Sequence, residues 1–140
     1  MARPDFRLIA AAVAPLLLGP WLPRWDESIL AWGLSGAIIF AVSVAVLEEV
    51  IFRGGIQSGL LRKGIFKLEL LGLSRANWLT SSLFALAHVW QHPGVLVPGY
   101  FVVSLVFGYF FERYKGILVP VALHAWYNLV LLFLPGLLSY

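Results

Sequence analysis

The sequence predicts an all-α fold, a polytopic bundle of about five helices embedded in a membrane. Hydrophobic residues make up 61% of the 140 residues and charged residues only 12%. Ordinary soluble domains carry roughly a quarter of charged residues. The charges also leave four uninterrupted runs of 16, 20, 36 and 25 residues, at 8–23, 28–47, 76–111 and 116–140. Because a helix of roughly 20 apolar residues crosses a bilayer, these runs provide several crossings.

Five crossings follow once the longest run is divided. The polar turn "QHPG" at 91–94 interrupts it, since Pro and Gly break helices. The predicted spans are 6–23, 29–52 or somewhat longer, 76–90, 94–111 and 116–135. Together they form one membrane domain over residues 1–140. The start of the chain also resembles a secretory signal peptide, although no small-x-small cleavage site follows it.

Basic residues predict the orientation of the bundle, because cytoplasmic loops hold the excess of Lys and Arg. With the N-terminus in the cytoplasm, nine of the ten basic residues lie on the cytoplasmic side or lead into it, and only Arg24 lies outside. The net charge of +3 therefore reports topology. Nucleic acid is not an expected partner, because there is no basic tract with interleaved aromatics. The segment 62–75 is expected to form an interfacial helix or a plain loop.

Six polar residues fall inside or beside the predicted spans, where an ionisable group is unfavourable and marks a functional site by default. They are Glu48, Glu49 and Arg53 in the second span, His88 in the third, and His124 and Asn128 in the fifth. Glu49 and Arg53 are four residues apart, in the favourable order for a helical ion pair. Glu48 is then left without an ionic partner and can act as a general base. His124 and Asn128 share a helix face by the same spacing, so that two imidazoles and a carboxamide can converge on Glu48.

This convergence depends on the glycine pair at 54–55. At about 1.5 Å per residue, His124 and His88 lie roughly 12 and 18 Å from the starts of their helices. Glu48 reaches a comparable depth, roughly 20 Å, only if the second helix continues to Leu61. His92 is expected to be a solvated loop residue, and Gln57 has no obvious partner. Gly99 and Gly108 in the fourth span are expected to allow the close approach of a neighbouring helix.

Three motifs carry a resemblance to a known family. "EEVIFRGG", "SLFALAH" at 82–88 and "HAWYN" at 124–128 resemble, in the same order, three motifs written EExxxR, FxxxH and HxxxN. These motifs are those of the CAAX prenyl endopeptidase and bacteriocin-processing family, the glutamic intramembrane proteases. The resemblance covers about residues 40–134, the expected catalytic core. It implies a compact prokaryotic member in the plasma or inner membrane.

The resemblance also implies a role for each residue. Glu48 would activate water with help from His88, while His124 and Asn128 would polarise the scissile carbonyl and stabilise the oxyanion. Glu49 and Arg53 would support them. No cofactor and no metal are implied. The implied substrate is a membrane-anchored protein or peptide, cleaved at a C-terminal tail, a leader or an anchor. Prenylated CAAX ends need not be cut, because fewer spans precede the first motif than in the larger eukaryotic members.

Three other readings stay open. A membrane core with buried Glu and His residues could bind a partner or confer immunity without catalysis. Glu48, His88 and His124 could hold a catalytic zinc ion, although the HExxH helix of membrane metalloproteases is absent. "GLSG" at 33–36 matches the serine motif of rhomboid proteases, which makes Ser35 a candidate nucleophile. An aspartyl mechanism is not expected, because Asp5 and Asp26 lie outside the spans.

Overall fold

The computed structural model describes residues 5–18, 27–89 and 97–137, which are helical almost throughout. The helices are α1 Phe6–Leu18, α2 Gly33–Glu49, α3 Ser58–Leu61, α4 Arg75–Ala87, α5 Val97–Tyr114 and α6 Leu118–Leu137. A π-helix, Val50–Gln57, joins α2 to α3, and 3-10 turns occupy Glu27–Trp32 and Gly64–Lys67. A small antiparallel hairpin pairs β1, Glu69–Leu70, with β2, Leu73–Ser74. The all-α prediction is confirmed.

The second helix runs without a break through the glycine pair. The α2 helix, the π-helix and α3 form a single helical stretch of 29 residues, Gly33–Leu61. Gly54 and Gly55 lie inside the π-helix, and a Cβ added to Gly54 would meet no atom within 4 Å. A Cβ at Gly55 would lie 3.8 Å from the Val50 carbonyl oxygen, an ordinary van der Waals distance, so neither glycine is required by a close contact. Glu48 consequently lies about 20 Å from the Leu61 end, at the depth that convergence requires.

Length and composition identify one candidate membrane span among residues 5–18, 27–89 and 97–137, and it is this long helix. Two shorter apolar stretches, Phe6–Leu17 and Leu118–Phe133, accompany it. The predicted turn at 91–94, with His92, lies outside the described residues. The end of the predicted first span and the boundary between the third and fourth spans lie outside them as well.

A stripe of residues spaced by four organises the long helix. Its first half consists of Ala37, Ala41 and Ala45, which are 0–1% exposed. Its second half consists of Glu49, Arg53 and Gln57, each 0% exposed. Small residues allow a neighbouring helix to approach closely, and α6 packs along the alanine half, where Asn128 bonds to the Ala41 carbonyl. The same face therefore changes from close packing to buried polarity halfway along the helix.

Pro15 explains how α1 is fastened to the bundle. A proline has no backbone N–H, so the carbonyl four residues earlier loses its helical partner. That carbonyl belongs to Ala11, and it accepts a 2.9 Å hydrogen bond from the Tyr127 hydroxyl of α6. The adjacent Ala12 carbonyl accepts a 2.7 Å bond from the Trp126 indole N–H. Two α6 side chains thus bind backbone oxygens of α1.

Polar contacts bring three chain segments to one end of the bundle. The Arg113 Nε donates to Asp5 at 2.7 Å, which joins the start of α1 to the end of α5. The Ser74 hydroxyl donates to Glu112 at 2.5 Å, which joins the hairpin to the same turn of α5. At this end, 62–75 forms neither a continuous interfacial helix nor a plain loop, but the 3-10 turn and the hairpin. The helix ends because the backbone is extended at Lys63, with φ −92° and ψ 121°, and again at Leu68, with φ −61° and ψ 135°. Gly72, with a φ of +77°, belongs to the hairpin turn.

Candidate active site

Adjacent carboxylates on the long helix occupy opposite environments. The side chain of Glu49 is 0% exposed, whereas that of Glu48 is 23% exposed. Consecutive helical residues point about 100° apart. Glu49 therefore belongs to the buried stripe, whereas Glu48 lies at the partly exposed edge of the site, called the rim below. The two adjacent acids therefore differ in solvent exposure and in the groups that each can contact.

Glu49 is held between Arg53 and His124. Its Oε2 lies 3.2 Å from Arg53 Nε, one helical turn away. Its Oε1 lies 2.9 Å from His124 Nδ1 on α6. Arg53 is itself anchored on α5, where its Nη2 donates to the backbone carbonyl of Ser104 at 2.8 Å and to the Ser104 hydroxyl at 2.9 Å. Glu49 and Arg53 were predicted as a pair, and the contact with His124 was not.

Phe84, the first residue of the FxxxH motif, lies at the centre of the aromatic surroundings. The Arg53 guanidinium carbon lies 5.5 Å from its ring centroid, within cation–π range. The ring also lies 4.5 Å from the His88 imidazole and 6.0 Å from that of His124. A single phenyl group thus packs against three of the polar residues.

Glu48 lies between the two imidazoles. Its Oε2 is 3.5 Å from His124 Nε2, and its Oε1 is 3.8 Å from His88 Nε2. Both separations exceed the usual length of an N–H···O hydrogen bond, about 2.7–3.2 Å. The carboxylate is therefore near both rings without being closed off by either. Part of its surface remains open at the rim.

The partners of the Nδ1 atoms determine how the two imidazoles are oriented. His88 Nδ1 lies 2.8 Å from the Phe84 backbone carbonyl, and His124 Nδ1 lies 2.9 Å from the Glu49 carboxylate. A carbonyl and an ionised carboxylate only accept, so each Nδ1 carries the proton. Each ring consequently directs Nε2 toward Glu48, and in a neutral ring that nitrogen bears a lone pair.

Asn128 lies one helical turn beyond His124, and its amide is directed elsewhere. Its Nδ2 donates to the Ala41 backbone carbonyl at 3.1 Å. The predicted convergence on Glu48 therefore includes His88 and His124, while Asn128 is beside it and bonded to α2. A carboxamide nitrogen carries two N–H donors, so this bond fixes the amide and leaves the second donor for another acceptor.

The α5 helix supplies three site residues that sequence reasoning missed. Tyr100 stacks on His88 with ring centroids 4.5 Å apart and planes 22° apart. Phe107 stacks on His124 at 4.9 Å and 25°. Ser104 lies between them along the helix and receives the Arg53 guanidinium. Their spacing of four and three residues is the one available signal in the sequence, because it places all three on one helix face.

The residues of the alternative mechanisms lie apart from this arrangement. Ser35 is exposed near the start of α2, about 20 Å along the helix from Glu48. Asp5 precedes α1 and is bonded to Arg113. Among residues 5–18, 27–89 and 97–137, no three His, Asp or Glu side chains are grouped in a way that could hold a metal ion.

Comparison with known proteins identifies a family for the chain. Neither the curated proteins nor the solved structures include a match to the chain. The model of one protein family, described as "Type II CAAX prenyl endopeptidase Rce1-like", matches residues 29–130. All six polar residues of the site lie within that range, which covers most of the chain. The chain therefore belongs to the type II CAAX prenyl endopeptidase Rce1-like family of membrane-associated proteases.

Proposed function

We propose that the chain is an intramembrane endopeptidase in which Glu48 activates the water that hydrolyses a peptide bond. The observation that carries the proposal is the position of this carboxylate, partly open at the rim and between two imidazole Nε2 atoms at 3.5 and 3.8 Å. The adjacent Glu49 cannot take this part, because it is fully buried between Arg53 and His124. An amide requires a base for water and donors for the developing oxyanion.

The attacking water would be bound by Glu48 and His88. A neutral His88 presents a lone pair on Nε2, and the carboxylate presents lone pairs on Oε1. Both therefore accept hydrogen bonds from one water molecule and direct its oxygen lone pair toward the scissile carbonyl. As the C–O bond forms, the water proton passes to Glu48. The protonated Glu48 then gives this proton to the leaving amine as the C–N bond breaks.

The oxyanion would be stabilised by His124 and Asn128. For this role His124 would carry a proton on Nε2 as well as the one that Nδ1 donates to the Glu49 carboxylate. The second N–H of Asn128 supplies another donor. Glu48 and Glu49 against Arg53 and a protonated His124 give a net charge of zero. A site buried in an apolar chain is stabilised by this balance, since an uncompensated buried charge is unfavourable.

The surroundings of the site support a membrane-bound substrate. We propose a single domain of about five spans in a prokaryotic plasma or inner membrane, with the N-terminus in the cytoplasm. In support, the ends of α1, α3 and α5 that carry most basic residues lie at the same end of the bundle. The proposed substrate is a membrane-associated protein or peptide, cut at a C-terminal tail, a leader or an anchor.

Replacement of Glu48 tests the proposal. The full chain, reconstituted in vesicles, would be assayed with a library of membrane-anchored reporter peptides with free C-terminal tails. We expect Glu48→Gln to lower kcat/KM for any cleaved peptide by about 10²–10⁴-fold, the usual contribution of a general base. Glu69→Gln, which removes an exposed acid from the hairpin, is the matched control and should leave cleavage unchanged. Undiminished cleavage by Glu48→Gln would contradict the mechanism, and peptide binding without cleavage by the native chain would favour a binding or immunity protein.

The described residues contain no grouped set of three metal ligands, but the orientation of the imidazoles is compatible with the zinc mechanism, which requires its own test. Both imidazoles give their Nδ1 proton to a carbonyl or a carboxylate, as metal-bound histidines commonly do. Exhaustive chelation followed by dialysis distinguishes the two mechanisms. We expect cleavage to survive this treatment. Loss of cleavage that Zn²⁺ alone restores would transfer the role of Glu48 from base to ligand.

A further inference from the structure

The segment between α3 and α4 exposes apolar side chains at the basic end of the bundle. Ile65 is 61% exposed, Leu68 52%, Leu70 56% and Leu71 85%. Leu71 lies at the tip of the hairpin, between β1 and β2. The segment lies outside the predicted spans, so the lipid tails that surround the bundle do not account for its exposure.

The backbone conformation at the tip of the hairpin is also unusual for a leucine. Leu71 and Gly72 both have positive φ angles, +55° and +77°. Two such residues in succession form the hairpin turn that favours Asn, Asp or Gly at its first position. A bulky residue with positive φ is an outlier. In water, Leu71 would therefore destabilise the folded chain in two ways, through its positive φ and through its exposed apolar side chain.

Positive charge surrounds these apolar side chains. Four exposed basic residues lie in the same segment: Arg62, Lys63, Lys67 and Arg75. Glu69 is the one acid within it. In addition, the indole N–H of Trp78, in the first turn of α4, donates to the Leu70 carbonyl at 3.0 Å. Tryptophan is enriched at the boundary between headgroups and acyl chains. The hairpin is thus fastened to a residue type that marks the membrane interface.

We propose that residues 62–75 bind the interface of the bilayer in which the bundle lies. Leu71 and its apolar neighbours insert below the headgroups, and the four basic residues bind anionic lipid phosphates. Basic side chains beside an apolar surface are the combination that binds anionic membranes. Their long stems also reach from a buried backbone to the headgroups. The inference concerns membrane contact alone and does not depend on catalysis.

Site-directed labelling tests the proposal directly, because the chain contains no cysteine. Leu71→Cys and, as the matched control, Lys115→Cys would each carry an environment-sensitive fluorophore. Lys115 is exposed in the turn after α5 at the same end of the bundle. Each full chain is reconstituted in vesicles of neutral phosphatidylcholine, with or without anionic phosphatidylglycerol. The measurements are the emission maximum and the quenching by aqueous iodide and by lipids with quenchers in their acyl chains.

The label at position 71 is expected to emit at shorter wavelength than the label at 115. It is also expected to resist iodide and to be quenched by the acyl-chain quencher. Anionic lipid should increase these differences, and Lys63→Glu with Lys67→Glu should remove the increase. Equal emission and equal iodide quenching at 71 and 115 would overturn the proposal. Protection at 71 that disappears when the protein is diluted in the vesicles would overturn it too, since a second copy would then cover the hairpin.

Leu71→Asn provides a second test, because it is expected to maintain or raise stability in detergent and to weaken insertion into the bilayer. Asn tolerates a positive φ better than Leu, so it relieves the backbone at the tip. In detergent micelles, we expect this variant to be at least as stable as the native chain. In anionic vesicles, a label at Ile65→Cys should become more accessible to iodide when Leu71→Asn is added. No change in that accessibility would show that Leu71 does not insert.

Discussion

Two buried polar clusters lie one helical turn apart on the long helix, and they differ in what they leave open. The charged cluster consists of Glu48, Glu49, Arg53, His88 and His124. The amide cluster consists of Gln57, Ser74, Asn77 and Glu112. The charged cluster joins the long helix to the end of α4 through His88 and to α6 through His124. The amide cluster joins the long helix to the start of α4 and the end of α5. The charged cluster leaves Glu48 partly exposed between two rings, whereas the members of the amide cluster bind mainly to one another and to backbone.

The bonds of the amide cluster are short and largely internal. Glu112 accepts from the Gln57 amide at 2.6 Å and from the Ser74 hydroxyl at 2.5 Å. Ser74 also caps α4, where it accepts from the backbone N–H of Asn77 at 3.0 Å. The Asn77 amide donates to the Leu105 carbonyl of α5 at 3.0 Å. These bonds hold the end of the long helix, the start of α4 and the end of α5 together.

The two clusters differ in whether their polar groups are bonded within the fold or include one that stays open to a reactant. A buried polar group without partners is unfavourable, so a network that satisfies its members stabilises one packing arrangement. The amide cluster meets that description except at Gln57 Oε1, which is buried without a hydrogen-bond partner among the described residues. The charged cluster uses Glu49 and Arg53 in the same way, but it supports a carboxylate that remains open to a reactant. In the proposed mechanism, the polar groups of the charged cluster serve chemistry, whereas those of the amide cluster serve the fold.

The largest expected loss of stability comes from Arg53→Met. Removal of one partner from a buried ion pair leaves the other charge uncompensated and costs about 3–5 kcal/mol. Glu49 would lose Arg53 in a site where both side chains are 0% exposed. We expect a correspondingly lower free energy of unfolding, measured by thermal denaturation in detergent, together with loss of peptide cleavage.

The double variant Glu49→Leu with Arg53→Met then separates the two functions of the pair. Apolar replacement of a whole buried pair is often neutral for stability. The double variant should therefore regain most of the stability that Arg53→Met loses. Cleavage should stay absent, because His124 no longer has the Glu49 carboxylate on Nδ1. A double variant that is both stable and active would show that the pair does not prepare His124.

The next largest loss of stability is expected from Gly108→Ala, which disturbs the amide cluster. A Cβ at this position would lie 2.0 Å from Asn77 Oδ1, 2.6 Å from Asn77 Cγ and 2.9 Å from Gln57 Oε1. Overpacking of this kind typically costs about 1–3 kcal/mol. The thermal midpoint should fall, whereas kcat/KM of the folded fraction should change little. Gly99→Ala is the matched control on the same helix, since a Cβ there would meet no atom within 4 Å.

The sequence predicted the charged cluster better than the amide cluster, for a physical reason. Glu48, Glu49 and Arg53 stand out because charges in an apolar run are unfavourable without a partner. Gln57 and Asn77 do not stand out, because neutral polar residues at helix ends are common. Gly108 was expected to allow close contact and does so, whereas Gly99 faces open space. The extension of the long helix through Gly54 could not be predicted, since a glycine pair either ends a helix or adapts its turn.

Tyr100 gives a smaller test of how the charged cluster is positioned. Its ring stacks on His88, and such aromatic pairs contribute about 0.5–1.5 kcal/mol. Tyr100→Leu removes the ring and should lower kcat by about tenfold, with KM little changed, because 1.4 kcal/mol corresponds to a factor of ten. Tyr100→Phe retains the ring and should restore most of the rate. Equal losses in both variants would assign the effect to the hydroxyl instead.

The smallest effect is expected at Asp5, which lies outside both clusters. The hydrogen bond from the Arg113 guanidinium lowers the pKa of Asp5 below its ordinary value of 3.8. A lowered folded-state pKa stabilises the fold above the ordinary pKa, and the contribution disappears as the pH falls through the folded-state value. At neutral pH, Asp5→Asn should therefore lower the thermal midpoint slightly, and high salt should reduce the difference. In acid below the folded-state pKa, the two chains should unfold at the same temperature. A difference that persists there would mean that Asp5 acts through packing and not through its charge.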